Sequence, residues 1–324
     1  MMHRVLVLGG YGNFGTIIAR KLAGETGIAV VVAGRNASRA AAFARDLGTQ
    51  SAHLDADAPD LAAKVSKLRI DTLISTAGPF QGKDYSVPRA AIAARAHYID
   101  LADARHFVCG IAALDGEAKA RGVLVASGAS SVPALAAAVV DSFLPEFSVL
   151  EDLKHGICSS EKTPGVATVA AVLGYCGRPF EVLEGGQWKS VYGWQELERR
   201  TLAHVGPRWF ANCDVPDLEV FARRYPSLRT LRRRGRAARW NSWGTVEAPC
   251  TCKCPEWGMT DCVIDGFGKL PRAPTADLIS HAWLRSRWRR SWRQEVSGRG
   301  APCLASDWSA SKSTWRSLTT SICV

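Results

Sequence analysis

Four apolar residues in succession, Val5-Leu6-Val7-Leu8, run into Gly9-Gly10, and Gly10-Tyr11-Gly12-Asn13-Phe14-Gly15 follows without a break. This junction constrains the fold more than any other feature of the chain. An unbroken apolar run this short reads as a strand buried on both faces. Beyond it the period changes: Phe14, Ile17, Ile18 and Leu22 share one helical face, and Gly24 closes the helix. The six-residue turn matches G-x-G-x-x-G in strand-turn-helix context. Gly10 permits the tight turn, Gly12 lets the backbone approach a pyrophosphate, and Gly15 lets the helix pack on the strand. The helix start then offers free N–H groups and a positive dipole end. Asn13 and Phe14 open that helix, and Tyr11 flanks the turn. A glycine-rich loop without a ligand is the alternative.

The same grammar repeats through residue 132. Strands are predicted over 28–33, 51–54, 71–75, 97–101 and 123–126. Helices are predicted over 38–47, 61–68, 87–96 and 107–120. Strand and helix in alternation predict an α/β fold of Rossmann type, a doubly wound parallel sheet with helices on both faces. A smaller, incomplete α+β domain and an atypical C-terminal tail are expected to follow.

The end of the second strand bears on the cofactor. NAD sites carry Asp or Glu about 20 residues on, to hold the ribose 2′-hydroxyl. Here the sequence is Ala33-Gly34-Arg35-Asn36-Ala37-Ser38-Arg39, with no carboxylate before Asp46. Arg35 and Arg39 suit a 2′-phosphate, with Asn36 and Ser38 beside them, so NADP is expected over NAD. The alternative is that both arginines are plain surface charges. Ala77-Gly78-Pro79-Phe80, at the C-terminal end of the fourth strand, should border the cofactor crevice. Asp100 and Asp103, after the fifth strand, are the candidate catalytic residues. Asp103 can equally cap a helix beginning near Arg105. His97, at the far end of its strand, reads as structural.

Residues 4 to about 229 resemble the saccharopine-dehydrogenase-like oxidoreductases. Gly9–Gly15, Ala33-Gly34-Arg35, Ala77–Phe80, Tyr98-Ile99-Asp100 and Ser127–Pro133 carry the resemblance. It implies an NADP-binding domain followed by an α+β domain that shapes the substrate site and often a homodimer contact. It implies reduction of imines or ketones, or oxidation of amines, on a small-molecule substrate. Of the family's catalytic positions it carries over Asp100 alone.

Residues 133–229 are expected to form that second domain. A helix is predicted over 133–143. Phe180–Leu183 and Trp188–Tyr192 read as a hairpin turning at Gly185-Gly186. Asn212–Asp217 reads as a surface loop rather than a substrate contact. Cys109, Cys158, Cys176 and Cys213 show no paired spacing and read as core residues.

The chain holds 324 residues at a net charge of +11, but the charge is unevenly placed. Residues 1–229 carry 25 basic and 23 acidic side chains, and residues 230–324 carry 16 and 7. That last segment also holds 8 of the 11 Trp and 6 of the 10 Cys. The strand-helix grammar stops near Leu231. A change of reading frame near residues 226–236 is the expectation, and translation of the other two frames checks it by seeking a family-like continuation. Cys250, Cys252, Cys254 and Cys262 have the wrong spacing for zinc, so no metal is expected. A basic helix over 276–296 would touch membrane or RNA. No apolar run reaches the roughly 18 residues of a membrane span, and no signal peptide is evident, so a cytoplasmic protein with reduced thiols is expected. Three functions are weighed: an NADP-dependent oxidoreductase, an NADP-binding regulatory protein without catalysis, and a nucleic-acid binder acting through the tail. Nucleic acid is not the expected partner. NADPH titration separates the first two from the third, and a carbonyl and imine panel separates the first from the second.

Overall fold

The computed structural model describes residues 2–157, 174–202, 206–237 and 321–323. In chain order its first part runs β1 (His3–Leu8), α1 (Asn13–Ala23), β2 (Ile28–Gly34), α2 (Ala37–Asp46), β3 (Gln50–His53), α3 (Leu61–Lys67), β4 (Thr72–Ser75) and α4 (Ser86–Ala93). It continues with β5 (His97–Asp100), α5 (Arg105–Gly110), α6 (Asp115–Arg121), β6 (Val125–Ala126) and α7 (Ala136–Phe143). The six strands form one parallel sheet in the order β3-β2-β1-β4-β5-β6. The order reverses between β1 and β4, which opens a crevice at their C-terminal ends.

The apolar run explains why β1 is central. Val5 and Val7 pack with Ile18, Ala19 and Leu22 of α1 and Ala40 and Ala44 of α2. Leu6 and Leu8 point the other way, onto Leu61 and Val65 of α3 and Ala90 and Ala91 of α4. All four are at most 2% exposed, so the strand serves two cores at once.

Two local expectations need correction. The face of α1 is narrower than its apolar pattern: Gly15, Ile18, Ala19 and Leu22 are buried, while Phe14 and Ile17 stand 44% and 47% exposed. Small Gly15 and Ala19 let the helix sit close to the sheet, and that turns the larger residues outward. The helix expected over 107–120 is two helices, α5 and α6, joined by a 3-10 turn over Ile111–Leu114. His97 is structural as expected, with its Nδ1 accepting from the Leu124 amide at 2.9 Å.

A second sheet follows. It contains β7 (Asp152–Ile157), β8 (Pro179–Glu184), β9 (Gln187–Tyr192), β10 (Glu198–Leu202), β11 (Gly206–Asn212), β12 (Thr230–Ala237) and β13 (Ser321–Cys323), with α8 (Asp217–Arg224) packed against it. β8 and β9 form the expected hairpin. Gly185 and Gly186 turn it with φ of 63° and 82°, the left-handed pair that a tight hairpin needs.

The loop expected at the surface over 212–217 is interior instead: Asn212, Cys213, Val215 and Asp217 are all buried. Cys176 packs against the core as expected but is disulfide-bonded rather than reduced, and Cys213 is a buried free thiol. The strand grammar also continues past 231. β12 lies between β11 and β7, parallel to β7 from Thr230 opposite Asp152 to Gly235 opposite Ile157. Its side chains suit both faces. Arg232 pairs with Glu184 at 3.0 Å and Glu196 at 2.7 Å, and Arg234 with Glu198 at 3.3 Å. On the opposite face Arg233 is buried against Asp217 at 2.9 Å. At Gly235 a Cβ would press to 2.8 Å from the Trp194 ring. The eight residues 230–237 are therefore part of the sheet. Cys158, the Cys250–Cys262 cluster and the basic segment 276–296 lie outside the described residues.

Candidate functional site

The glycine-rich turn sits at the mouth of the crevice. Gly9 and Gly10 donate their amides to the Ala33 carbonyl at 2.8 and 3.1 Å, and Gly12 donates to Gly9 at 2.8 Å. These bonds tie the turn to the end of β2. A Cβ on Gly10 would press to 2.8 Å from the Val7 carbonyl oxygen, and one on Gly15 would overlap the Gly9 carbonyl oxygen. The glycines at these positions are thus required by close approach of backbone to backbone. Gly12 caps α1 in an extended conformation with no side-chain cap, and the first turn holds no acidic residue. Asn13 and Phe14 begin the helix directly after this glycine cap, at the positive end of its dipole. This arrangement fits a dinucleotide pyrophosphate.

The second strand ends in an exposed basic corner. Arg35, Asn36, Ser38 and Arg39 are all exposed. Asn36 also has a local task, since its Oδ1 accepts from the Arg39 amide at 2.9 Å and caps α2. His53, at the end of β3, places Nε2 3.0 Å from the Arg35 carbonyl. Between Ala33 and Asp46 the sequence holds no carboxylate, and the exposed arginines could pair with an anion.

Across the crevice, Ala77, Gly78 and Pro79 follow β4 and are half-buried. Phe80 turns inward instead. Its ring packs 5.4 Å from that of Phe107 in a cluster with Ala102, Ala104 and Val108. It forms a wall behind the crevice rather than a surface of it.

The two aspartates have different surroundings. Asp100 is fully buried, and its Oδ1 accepts from Ser127 Oγ at 2.8 Å and from the amides of Gly128 and Ala102, each at 2.9 Å. Its Oδ2 and the buried Tyr98 hydroxyl have no hydrogen-bond partner among the described residues. Burial raises its pKa, against the pull of those hydrogen bonds. This carboxyl fastens the chain after β5 to the Gly128 turn. Asp100→Ala would strand three donors and is expected to cost about 3 kcal/mol or more. Asp100→Asn keeps the acceptor and should cost far less. A raised pKa also means that the folded form holds this proton more tightly than the unfolded chain. Its contribution to stability is therefore fullest below the ordinary aspartate value and is lost as pH rises through the raised one. Chemical denaturation of both variants from pH 3 to 7 checks this. Equal losses for Asn and Ala would contradict it.

Asp103 caps no helix: α5 starts at Arg105 after Ala104, with no side-chain cap. Its Oδ1 accepts from Gln81 Nε2 at 3.2 Å, and burial raises its pKa against that bond. Its charge bears on Tyr175 and Cys213 of the second domain. The Tyr175 hydroxyl lies 3.2 Å from Cys213 Sγ. Burial lifts the Tyr175 phenol well above its ordinary value and the Cys213 thiol to about 11. Both stay protonated near neutrality. Arg105 spans the two domains from α5, bonding the Glu181 carbonyl at 2.9 Å and pairing with Asp214 at 3.4 Å and Glu219 at 3.3 Å. Sequence reasoning missed Gln81 as the partner of Asp103, and the pairing of Tyr175 with Cys213. They come together only through the fold. The one local signal was Gln81, which directly follows Ala77–Phe80.

The sequence of residues 5–125 matches the family model of the saccharopine dehydrogenase NADP binding domain. Among solved structures, the chain is similar to apo saccharopine dehydrogenase (L-Glu forming) from Saccharomyces cerevisiae. That match has a TM-score of 0.57 at 18% identity and covers 72% of this chain and 55% of that one. The chain thus spans little more than half the length of that enzyme. A 3-ketoreductase from Actinomadura kijaniata, KijD10, solved with NADP, matches at 20% identity and a TM-score of 0.36, over 50% of this chain and 49% of that one. No curated protein matches the sequence. No helix among the described residues is long and apolar enough to cross a membrane.

Proposed function

We propose that this protein, whose residues 5–125 match the saccharopine dehydrogenase NADP binding domain, is an NADP(H)-dependent oxidoreductase acting on a small carbonyl, imine or amine substrate. The observation that carries the reading is a turn shaped for a pyrophosphate with an exposed pair of arginines, and no carboxylate, at the ribose end. Gly10, Gly12, Gly15 and the start of α1 would hold the pyrophosphate. Arg35 and Arg39 would hold the 2′-phosphate, with Asn36 and Ser38 beside it. Ala77, Gly78 and Pro79 would flank the nicotinamide. When bound, that group supplies or accepts the hydride.

The chain's own residues supply the proton and the walls. Asp103 is the acid of this reading. Burial keeps its proton on to higher pH than in a free aspartate, and Gln81 orients the carboxyl through Oδ1. Asp100 positions the Gly128 turn and transfers no proton. Tyr175 and Cys213 of the second domain, paired with each other, both stay protonated near neutrality.

The test is NADPH consumption over a panel of small ketones, aldehydes and imines, with Asp103→Asn alongside. Turnover on at least one substrate is expected, and about a hundredfold lower kcat in the variant with NADPH affinity unchanged. The wild-type rate of reduction should fall as pH rises through the raised Asp103 value, because the acid must carry its proton. Full turnover by Asp103→Asn would remove Asp103 from this role. No turnover on any member, with NADPH bound, would favour a non-catalytic nucleotide-binding protein.

A further inference from the structure

Tyr11 stands between the two halves of the nucleotide site, and its contacts exceed those of a loop residue. Its hydroxyl accepts from the Asn36 amide at 2.8 Å. The Arg39 guanidinium lies over its ring, 4.9 Å from the centroid. The ring also fills the space over Gly34, where a Cβ would come within 2.5 Å of Cε1. Glycine at the end of β2 thus admits the ring, and the ring carries an arginine on its face. An exposed arginine loses much rotamer freedom on gripping a phosphate. A cation held over an aromatic face has lost part of that freedom beforehand.

We propose that Tyr11 is a positioning residue for the phosphate corner. Its ring pre-orients Arg39, and its hydroxyl holds the Asn36 amide, so that the site prefers nucleotides carrying a 2′-phosphate. The inference rests on the NADP reading above. It assigns the preference to a residue of the glycine-rich turn that itself carries no charge. Three independent contacts on one ring support it: hydroxyl, face and edge.

Two fragments without a nicotinamide test it, adenosine 2′,5′-bisphosphate and adenosine 5′-monophosphate, titrated by calorimetry on the full chain. The quantity read is the ratio of their affinities. Tyr11→Leu fills the space over Gly34 without an aromatic face and should lower the ratio about tenfold. Tyr11→Phe keeps the face and should lower it less than about threefold. In an Arg39→Ala background, Tyr11→Leu should change the ratio by less than about threefold, since only the hydroxyl's hold on the Asn36 amide remains to be lost. Melting curves confirm that each variant is folded. Equal weakening of both fragments by Tyr11→Leu would overturn the inference, because the ring would then serve the turn and not the phosphate. An unchanged ratio would overturn it as well. A wild-type chain that binds both fragments equally would instead defeat the NADP reading, and the inference with it.

Discussion

Gly15→Ala is expected to abolish NADPH binding, weakening it about a hundredfold or more, through a single added methyl group. The methyl would overlap the Gly9 carbonyl oxygen and come within 2.7 Å of Gly10 Cα and 2.9 Å of the Gly10 carbonyl carbon. Those are backbone atoms, so no side chain can swing aside. The turn cannot yield cheaply either, since Gly9 and Gly10 are both bonded to Ala33 and Gly12 to Gly9. Either α1 moves away from β1, or the turn that would hold the pyrophosphate deforms. The first outcome opens the packing of Ile18, Ala19 and Leu22 on Val5 and Val7. Overpacking of this kind costs roughly 1–3 kcal/mol, so the melting temperature should fall as well. Gly116→Ala is the control. It lies in α6 with nothing within 4 Å of the added Cβ, and it should be neutral or slightly stabilising. Fluorescence titration with NADPH beside thermal melts reads both effects. Binding retained in Gly15→Ala would show that the turn tolerates what its geometry forbids.

Asp217→Ala is expected to be the most damaging change in the second domain, costing about 3–5 kcal/mol. Arg233 is essentially inaccessible, and Asp217 Oδ2 is its ion-pair partner at 2.9 Å. His155 Nε2 shares that same oxygen at 2.8 Å. Burial, followed by the Arg233 charge, lowers the His155 pKa, so the ring is neutral at pH 7 and donates through Nε2. The carboxylate therefore serves two donors at the start of α8. Removing it leaves a guanidinium buried without a counter-charge, and Arg233 Nε and Nη2 already lack partners among the described residues. Replacing the whole group, as His155→Leu/Asp217→Leu/Arg233→Met, should recover most of the loss, because apolar packing often matches a buried ion pair. Calorimetric melts of the single and triple variants decide this. A loss under about 1 kcal/mol in Asp217→Ala would contradict the ion-pair assignment.

What was legible in the sequence was what depends on neighbours along the chain. Val5–Leu8 is buried on both faces because an apolar run has no polar side to offer water, and Gly10–Gly15 reports its own turn. Gly185-Gly186 did the same for the hairpin. What was not legible was assembled at a distance. Phe14 and Ile17 count as apolar in any periodic pattern, yet the closeness of α1 to the sheet is set by Gly15 and Ala19, which such patterns weigh little. Arg232, Arg233 and Arg234 look like one solvated run. In a strand they alternate, and their partners Glu184, Glu196, Glu198 and Asp217 come from other elements. Asp100 and Asp103 were equal candidates by position. Only the three donors around Asp100 and the single Gln81 beside Asp103 separate a fastening carboxyl from one poised as an acid.

The central claim is that the first domain is built for a dinucleotide with a 2′-phosphate. Its most direct test is a titration of the full chain with NADPH and, separately, with NADH. Saturable NADPH binding with NADH weaker by about tenfold or more is the expected result, and Arg35→Ala/Arg39→Ala should bring the two together. Equal affinity for both in the wild type, or NADPH affinity unchanged by loss of both arginines, would contradict it.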